Sequence, residues 1–348
     1  MNWEIAKILM QDGLVTGVIY ALMAVALVLV FAVTRIIFIA QGEFVSFGAL
    51  TFAIMVNGQT PATIWLLPVF GTLIFLKELY RFLIKRACSA LQLLKAALLY
   101  LLLPFALALL VPPILATQPS IWLKALLTLL LIVPLGPMVY RLVFKPVSEA
   151  PGLLLLIISI ALHFAFVGLG LVFFGAEGWR VSEPFFDGTV EFFGLSWSYQ
   201  SLFVIAMTVF IIIALYIFFE KTIYGKALRA TAVNRKGARL MGISTGLAGY
   251  ISFWITALIG VVSGILLVSF ITITYETGFM IGLKGFVGAI IGGLVSYPIA
   301  AVAAVAVGVI EAFSTFWASD YKEVIVFTLI LPVLLIRSLT IQKHDEEE

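Results

Sequence analysis

Four ionisable positions stand out because an apolar chain gives them few ways to be tolerated. In IIFIAQGEFVSFGAL, residues 36–50, Gln41, Gly42 and Glu43 interrupt an apolar run. In GFMIGLKGFVGAIIGGLVSYP, residues 278–298, Lys284 lies among six glycines, and Glu311 sits midway through an alanine- and valine-rich segment. His163 is alone in ALHFAF. A charge at the centre of a bilayer costs at least about 2.5 to 3.5 kcal/mol, so each should face a cavity, find a partner or sit near an interface. Glu43 follows Arg35 closely, which suggests a cytoplasmic turn. There AQGE reads as an N-terminal helix cap whose carboxylate meets unpaired amides and the positive end of the dipole. The sharper alternative is direct contact with a substrate or a gate. His163 reads as a hydrogen-bonded packing residue rather than a ligand or proton relay.

Other chemistries lack their residues. No GxxxxGK[ST] loop occurs; the nearest approach, GFMIGLKG, has neither the spacing nor the terminal hydroxyl, so the chain brings no phosphate cradle of its own. No nucleophile is paired with a base. One cysteine, Cys88, and two histidines leave no metal-ligand pattern and no internal disulfide. The expectation is a protein with no catalytic residue, no metal and no cofactor in this chain.

The elements that must position these residues follow from composition. A mean hydropathy of +1.18 and 11% charged residues, against about 25% in soluble domains, define an integral membrane protein. Uncharged windows bounded by charges fall at 13–34, 44–56, 61–76, 96–116, 121–140, 152–174, 201–219, 248–270, 283–296, 298–317 and 322–338. Their length predicts an all-α, polytopic transmembrane bundle over 1–348, since an α-helix crosses about 30 Å of hydrocarbon in roughly 20 residues. Windows 44–56 and 283–296 are too short and are expected to be broken or re-entrant helices. Six glycines between 278 and 298 predict a break there, each costing about 1 kcal/mol relative to alanine in a helix. Such a break could line a translocation path or be a tightly packed hairpin with no ligand contact. Gly13, Gly17 and Ala21 form a small-residue stripe that helix packing alone explains. The opening MNWEIAKILMQDG has no small-residue cleavage site before a longer apolar run and reads as a mature end.

Orientation comes from lysine and arginine. Residues 220–247 carry Lys221, Lys226, Arg229, Arg235, Lys236 and Arg239, whereas 176–200 carry Arg180 with four acids. The first loop is therefore cytoplasmic and the second external. Counting outward places the N-terminus outside and the QKHDEEE tail inside. The net charge of +3 is explained by this insertion rule and implies no nucleic acid. Lys77, Arg81, Lys85, Cys88, Gln92 and Lys95 recur every three or four positions, opposite Leu79, Leu83, Ile84, Leu91 and Leu94. This pattern predicts one basic amphipathic helix on the cytoplasmic membrane surface, either a solvated link between crossings or a site for anionic membrane lipid. Residues 226–241 show a helical pattern too, suited to a groove in a soluble partner or to a plain surface helix.

The stretch GKALRATAVNRKGARLMGI, with Gly225, Arg229, Ala230, Ala232, Asn234, Ala238, Gly242 and Ile243, resembles the coupling loop of the branched-chain amino acid permease family of ABC importers. Gly278, Phe279, Met280, Gly282, Lys284, Phe286, Ala289, Gly292, Gly293, Ser296, Pro298, Gly308, Glu311 and DYKEVIVF resemble the segments that follow. Gly17, GVIYAL, Ala40, Gly42 and Glu43 resemble the first crossing and its polar turn. The likeness spans roughly 10–56 and 121–340. It implies a multi-pass subunit of the bacterial cytoplasmic (inner) membrane that works with a second permease, two cytoplasmic ATPases that bind ATP, and an extracytoplasmic substrate-binding protein. Coupling to the ATPases would run through Gly225, Arg229, Ala230, Asn234, Ala238 and Gly242 in the 220–247 loop. The path would include Phe38, Gln41, Gly42, Glu43, Gly278, Gly282, Lys284, Gly292 and Gly293.

The chain also departs from the family. FIAQGE stands where the family typically has NFAHGE, and HFAFVGLG lacks a usual polar pair, so the path is more apolar. Residues 57–118 have no counterpart and read as an inserted two-helix hairpin. The expected cargo is a branched-chain or similar small amphipathic amino acid. Urea or short amides are the near alternative, and an ion-coupled transporter or channel is the distant one.

Overall fold

The computed structural model describes residues 3–84, 89–181, 185–192 and 194–335. Long uninterrupted runs of leucine, alanine, valine and phenylalanine become helices because all backbone groups bond within the segment, as a bilayer requires. In chain order these are α1 Trp3–Thr34, α2 Glu43–Val56, α3 Leu66–Leu83, α4 Ala90–Ala97, α5 Leu103–Ala116, α6 Ile121–Ile132, α7 Leu135–Val139, α8 Gly152–Phe174, α9 Tyr199–Lys221, α10 Ile223–Val233, α11 Arg235–Leu240, α12 Thr245–Leu267, α13 Thr277–Ile291, α14 Tyr297–Trp317 and α15 Lys322–Thr328. Short turns fuse some of them, so α4 with α5 and α6 with α7 each form one span. Among the described residues nine helices are long and apolar enough to cross a membrane, and α13 is a shorter apolar one. The fold is the expected all-α polytopic bundle.

The core is α1, buried on almost every side from Ile19 to Val30. It is enclosed by α14, α12 and α13, with α9 alongside. The glycine stripe explains the closest of these contacts. A Cβ at Gly13 would lie 2.6 Å from Val309 Cα, and one at Gly308 would lie 2.3 Å from Gly17 Cα, so α1 and α14 touch backbone to backbone. By contrast α8, α9 and the α4–α5 span keep most of their apolar surface exposed.

One expectation is corrected. The basic surface helix from Lys77 to Lys95 does not form as one element. Lys77 and Arg81 close α3, Lys95 lies in α4, and the two helices belong to consecutive spans, 62–83 and 90–116. The leucines opposite the bases are long enough runs to complete crossings, which outweighs the amphipathic spacing. Lys85 and Cys88 lie outside the described residues, as does the QKHDEEE tail. The 176–200 loop, read as external from its charges, adds a feature. It contains a hairpin, β1 Thr189–Phe192 paired antiparallel with β2 Leu195–Ser198, that composition did not signal. Gln11 donates to the Ser196 carbonyl at 3.1 Å and ties this hairpin to α1.

Proline accounts for one irregularity. Pro104 has no amide to give the carbonyl of Tyr100, and a wide turn over Leu98–Leu102 absorbs the mismatch. The freed carbonyl settles against Gly71 of α3, where a Cβ would be only 2.0 Å away.

Candidate functional site

The polar break begins where α1 ends. Arg35 takes a left-handed φ of 61°, terminating the helix, and Thr34 Oγ1 accepts from Ile36 N at 3.3 Å. Residues 36–38 then carry the chain back into the bundle, with Ile36 and Phe38 buried, and one 3-10 turn, Ile39–Gly42, leads into α2. The α2 helix has 14 residues and so spans about 21 Å, less than the hydrocarbon thickness. Its N-terminus lies at the level of His163, the midpoint of α8, and of Met23, well inside α1. The α13 helix, of 15 residues, likewise starts in the interior, with Phe279 stacked on His163 at 4.0 Å. Two short helices therefore meet N-terminus to N-terminus; with its leading turn, α2 forms an 18-residue apolar span, Ile39–Val56.

The break expected within 278–298 is present and falls near the end of that stretch, between α13 and α14. Helix α13 continues unbroken through Gly278, Gly282, Gly285 and Gly288, then ends at Gly292 and Gly293, the latter with a φ of 70°. Its glycines serve close approach rather than breakage. A Cβ at Gly42 would be 2.2 Å from Gly278 O, and one at Gly282 would be 3.0 Å from Gly42 Cα. Gly288 and Gly292 give the same proximity to Ala304 and Ala300 of α14.

Two backbone amides at this junction find side-chain acceptors. Ser159 Oγ accepts from Ile39 N at 2.8 Å, and Ser46 Oγ accepts from Gly278 N at 2.7 Å. Gln41 Nε2 donates to Met23 O at 2.9 Å. Glu43 is buried, 1% exposed, and its Oε1 lies 2.7 Å from His163 Nδ1. The capping reading of Glu43 is thus half correct. It occupies the first turn of α2, where the helix dipole favours a carboxylate. Yet it sits deep in the bundle instead of beside a cytoplasmic turn, and no side-chain cap bond forms. His163 is the hydrogen-bonded packing residue expected of it. Glu43 Oε2 and Gln41 Oε1 are both buried without a protein partner. Phe38 stands apart, in an aromatic cluster with Phe253 at 4.6 Å and Phe144 at 5.7 Å.

This pairing makes a differential prediction. His163→Leu should strip a buried carboxylate of its partner and cost about 3 kcal/mol or more. Glu43→Gln, which keeps a hydrogen-bonding group on the imidazole, should cost about 1 kcal/mol. Thermal unfolding of both variants in detergent checks the order; equal losses would mean the pair is not what matters at this position.

Lys284 faces away from Gly42. Its ammonium meets Glu311 Oε1 at 2.6 Å and Glu323 Oε1 at 3.1 Å, and lies 5.7 Å from the Tyr20 ring centre. Tyr20 donates its hydroxyl proton to Glu311 Oε2 at 2.8 Å. Two of the awkward charges in the sequence, Lys284 and Glu311, are thereby each other's partners. The network joins α1, α13, α14 and α15. Sequence reasoning missed Tyr20 and Glu323 in this role, as it missed Ser46 and Ser159. The only available signal was the four-residue spacing of Ser159 and His163 on an otherwise apolar helix.

At the end of the molecule read as cytoplasmic, the 220–247 segment is an elbow of two helices, not the single helix its periodicity suggested. Gly225 N donates to Thr222 Oγ1 at 3.0 Å, and a Cβ on Gly225 would lie 2.1 Å from Phe218 O, so α10 folds tightly under α9. Arg229 pairs with Glu220. The chain bends at Asn234, whose Oδ1 accepts from Gly237 N at 2.8 Å and starts α11. Gly242, with a φ of 80°, ends it, and Ile243 N bonds Ala238 O at 2.9 Å. Ala238 is buried against this subunit while Ala230 is exposed. Arg239 reaches Glu149 at 2.8 Å, and that guanidinium holds the Glu149 carboxyl below the usual carboxylate range. Arg235 donates to Ser148 O at 3.2 Å. The elbow is thus braced against the turn before α8. It still presents Val233, Leu240 and Met241 at 86, 88 and 83% exposure, an apolar surface on a basic frame.

Among the described residues, nine helices long and apolar enough to cross a membrane, the span that ends in α2 among them, together with the shorter α13 abutting α2 in the interior and a braced loop at one end, define a polytopic membrane protein. The sequence profile of the family described as the branched-chain amino acid transport system / permease component matches residues 9–334. The chain belongs to that family and is a transport component, not an enzyme. It is similar to the high-affinity branched-chain amino acid transport system permease protein LivH of Escherichia coli strain K12 and of Salmonella typhimurium. Each is 31% identical over 219 residues, covering 61% of this chain and 71% of the relative. The permease protein BraD of Pseudomonas aeruginosa is 32% identical over 157 residues, 44% of this chain and 51% of BraD. No solved structure matches the chain. Permeases of ATP-driven importers work in general with ATPase and substrate-binding partners.

Proposed function

We propose that this chain is the membrane-spanning subunit of an ATP-driven importer for branched-chain or similar small amphipathic amino acids in the bacterial cytoplasmic membrane. The single observation that supports this most is the family match over 9–334, which runs through both the α2–α13 junction and the elbow. In this reading the subunit pairs with a second permease, two cytoplasmic ATPases that bind ATP, and an extracytoplasmic substrate-binding protein. The elbow carrying Gly225, Arg229, Ala230, Asn234, Ala238 and Gly242 receives the ATPase, and its exposed Val233, Leu240 and Met241 supply the apolar contact. Its motion passes through Glu149 and Ser148 to α8, and from there through Ser159 and His163 to the Gln41–Glu43 turn. Gln41, Gly42, Glu43, Gly278 and Gly282 form the closed gate of the path. Residues 57–118 are an added hairpin outside that path.

Uptake into vesicles, with and without ATP, the ATPases and the binding protein, tests the proposal. Transport by this chain alone, or transport indifferent to ATP, would overturn it. Arg229→Glu and Gly225→Pro are expected to abolish coupled uptake while leaving the protein inserted and the ATPases active. Unchanged uptake in both would remove the elbow from the coupling route.

A further inference from the structure

The basic residues that the sequence placed on one helix come together in space for another reason. Where the end of α3 meets α4 and the last turns of the 121–147 span, a cleft of about 390 Å³ opens, lined by Glu78, Arg81, Gln92, Lys95, Tyr100 and Arg141. Its charge is unbalanced. Three cations face one carboxylate, and that carboxylate is already committed, with Oε2 3.1 Å from Arg81 and Oε1 2.8 Å from Arg141. Lys95 has no acidic partner among the described residues.

Arg141 is held as a fixed donor. It gives one hydrogen bond to Tyr100 Oη at 2.6 Å, one to Glu78 at 2.8 Å, and its guanidinium carbon lies 4.7 Å from the Tyr100 ring centre. Lys77 Nζ donates to the Arg141 carbonyl at 3.3 Å and pins the same turn. This preorganisation leaves Lys95 and the second terminal nitrogen of Arg81, both residues exposed, to converge on an additional anion, while Arg81 Nη1 stays on Glu78. A guanidinium and an ammonium around one pocket suit a phosphate, the first by its planar fork and the second as a point charge.

The surroundings select the source of that phosphate. The cleft lies toward the end of the molecule that the lysine and arginine count places in the cytoplasm. Its rim carries Leu91, Leu94, Leu98 and Leu99, all at least half exposed, and the α4–α5 span is among the least buried crossings. The leucine stripe continues directly from the basic rim along the outer face of the bundle. An acyl chain could follow it, whereas a free anion has no use for it. We propose that this cleft binds the headgroup phosphate of an anionic phospholipid of the inner leaflet, with the acyl chains along the α4 leucines. Basic pockets between crossing helices on the cytoplasmic side recognise lipids in this way.

The full chain, reconstituted in vesicles of phosphatidylcholine containing a minor fraction of phosphatidylglycerol, is examined with spin-labelled phosphatidylglycerol and spin-labelled phosphatidylcholine. The wild type should immobilise the anionic label preferentially. Arg81→Gln with Lys95→Gln should reduce that preference by up to roughly thirtyfold, since two basic groups near the surface contribute about 1 kcal/mol each. Lys95→Gln alone, which breaks no ion pair in the protein, should show part of the loss even if the double variant folds poorly. Lys221→Gln, a base at the same end on α9, should leave the preference intact. The proposal is overturned if Lys95→Gln and Lys221→Gln have the same effect, or if excess inorganic phosphate displaces the anionic label and so marks an ordinary anion pocket.

Discussion

Lys284→Met is expected to be among the most damaging single substitutions in the chain. The ammonium is the shared partner of Glu311 and Glu323, at 2.6 and 3.1 Å, and its side chain is only 7% exposed. Removing it leaves two carboxylates close together at a junction of four helices, with the Tyr20 hydroxyl their one remaining donor. Breaking a buried ion pair by deleting one partner costs about 3–5 kcal/mol, because the surviving charge keeps its desolvation cost and loses its compensation. Here two charges survive, and they repel. The variant should show a large drop in the temperature of unfolding in detergent and a fall in the amount recovered from membranes. Adding Glu311→Gln and Glu323→Gln to Lys284→Met should restore much of the loss. If the triple variant is no better than the single one, ion pairing does not hold this corner together.

Gly278→Ala should be comparably severe for a steric reason. The added methyl would lie 2.2 Å from Gly42 O, 2.5 Å from Ser46 Oγ and 2.8 Å from Ser46 N. Two of those atoms are backbone in a span that is itself buried, so the neighbours cannot rotate away. Overpacking a rigid core costs about 1–3 kcal/mol, and a contact this short puts the variant at or above the top of that range. Because the methyl also wedges apart the two helix N-termini, coupled uptake should fall with stability. Gly168→Ala provides the internal comparison, since no atom lies within 4 Å of its Cβ position. On the helix α8 that change should be neutral or slightly stabilising, alanine being about 1 kcal/mol better than glycine. Equal thermal stability of the two variants would sink the close-packing account.

The positions of most crossings were legible in the sequence because hydropathy is a property of each segment taken singly. The same holds for the small-residue stripe Gly13–Gly17, whose role needs only a neighbour with a small residue of its own, which Gly308 supplies. A pattern of bases spaced as on one helix misled at Lys77–Lys95. Periodicity reports which residues share a face, but says nothing about whether the chain turns between them. The elbow misled in the same way, since Asn234 can lie within a helical pattern or begin a new helix. Only its bond to Gly237 N distinguishes the two.

The polar junction divides along the same line. By itself the sequence determined that Gln41, Glu43, His163, Lys284 and Glu311 lie within or beside membrane-crossing segments, and that each therefore needed a partner, a cavity or an interface. It could not assign the partners. Glu43 and His163 are 120 residues apart, and Lys284 and Glu311 are 27 apart on different helices. Which pairs form depends on how far the chain re-enters after Arg35 and on the depth at which α2 and α13 meet. That depth is set by backbone contacts at Gly42 and Gly278, which have no side chain to leave a pattern. Tertiary packing decided it, because in a bilayer a buried charge can be stabilised only by what the fold brings to it.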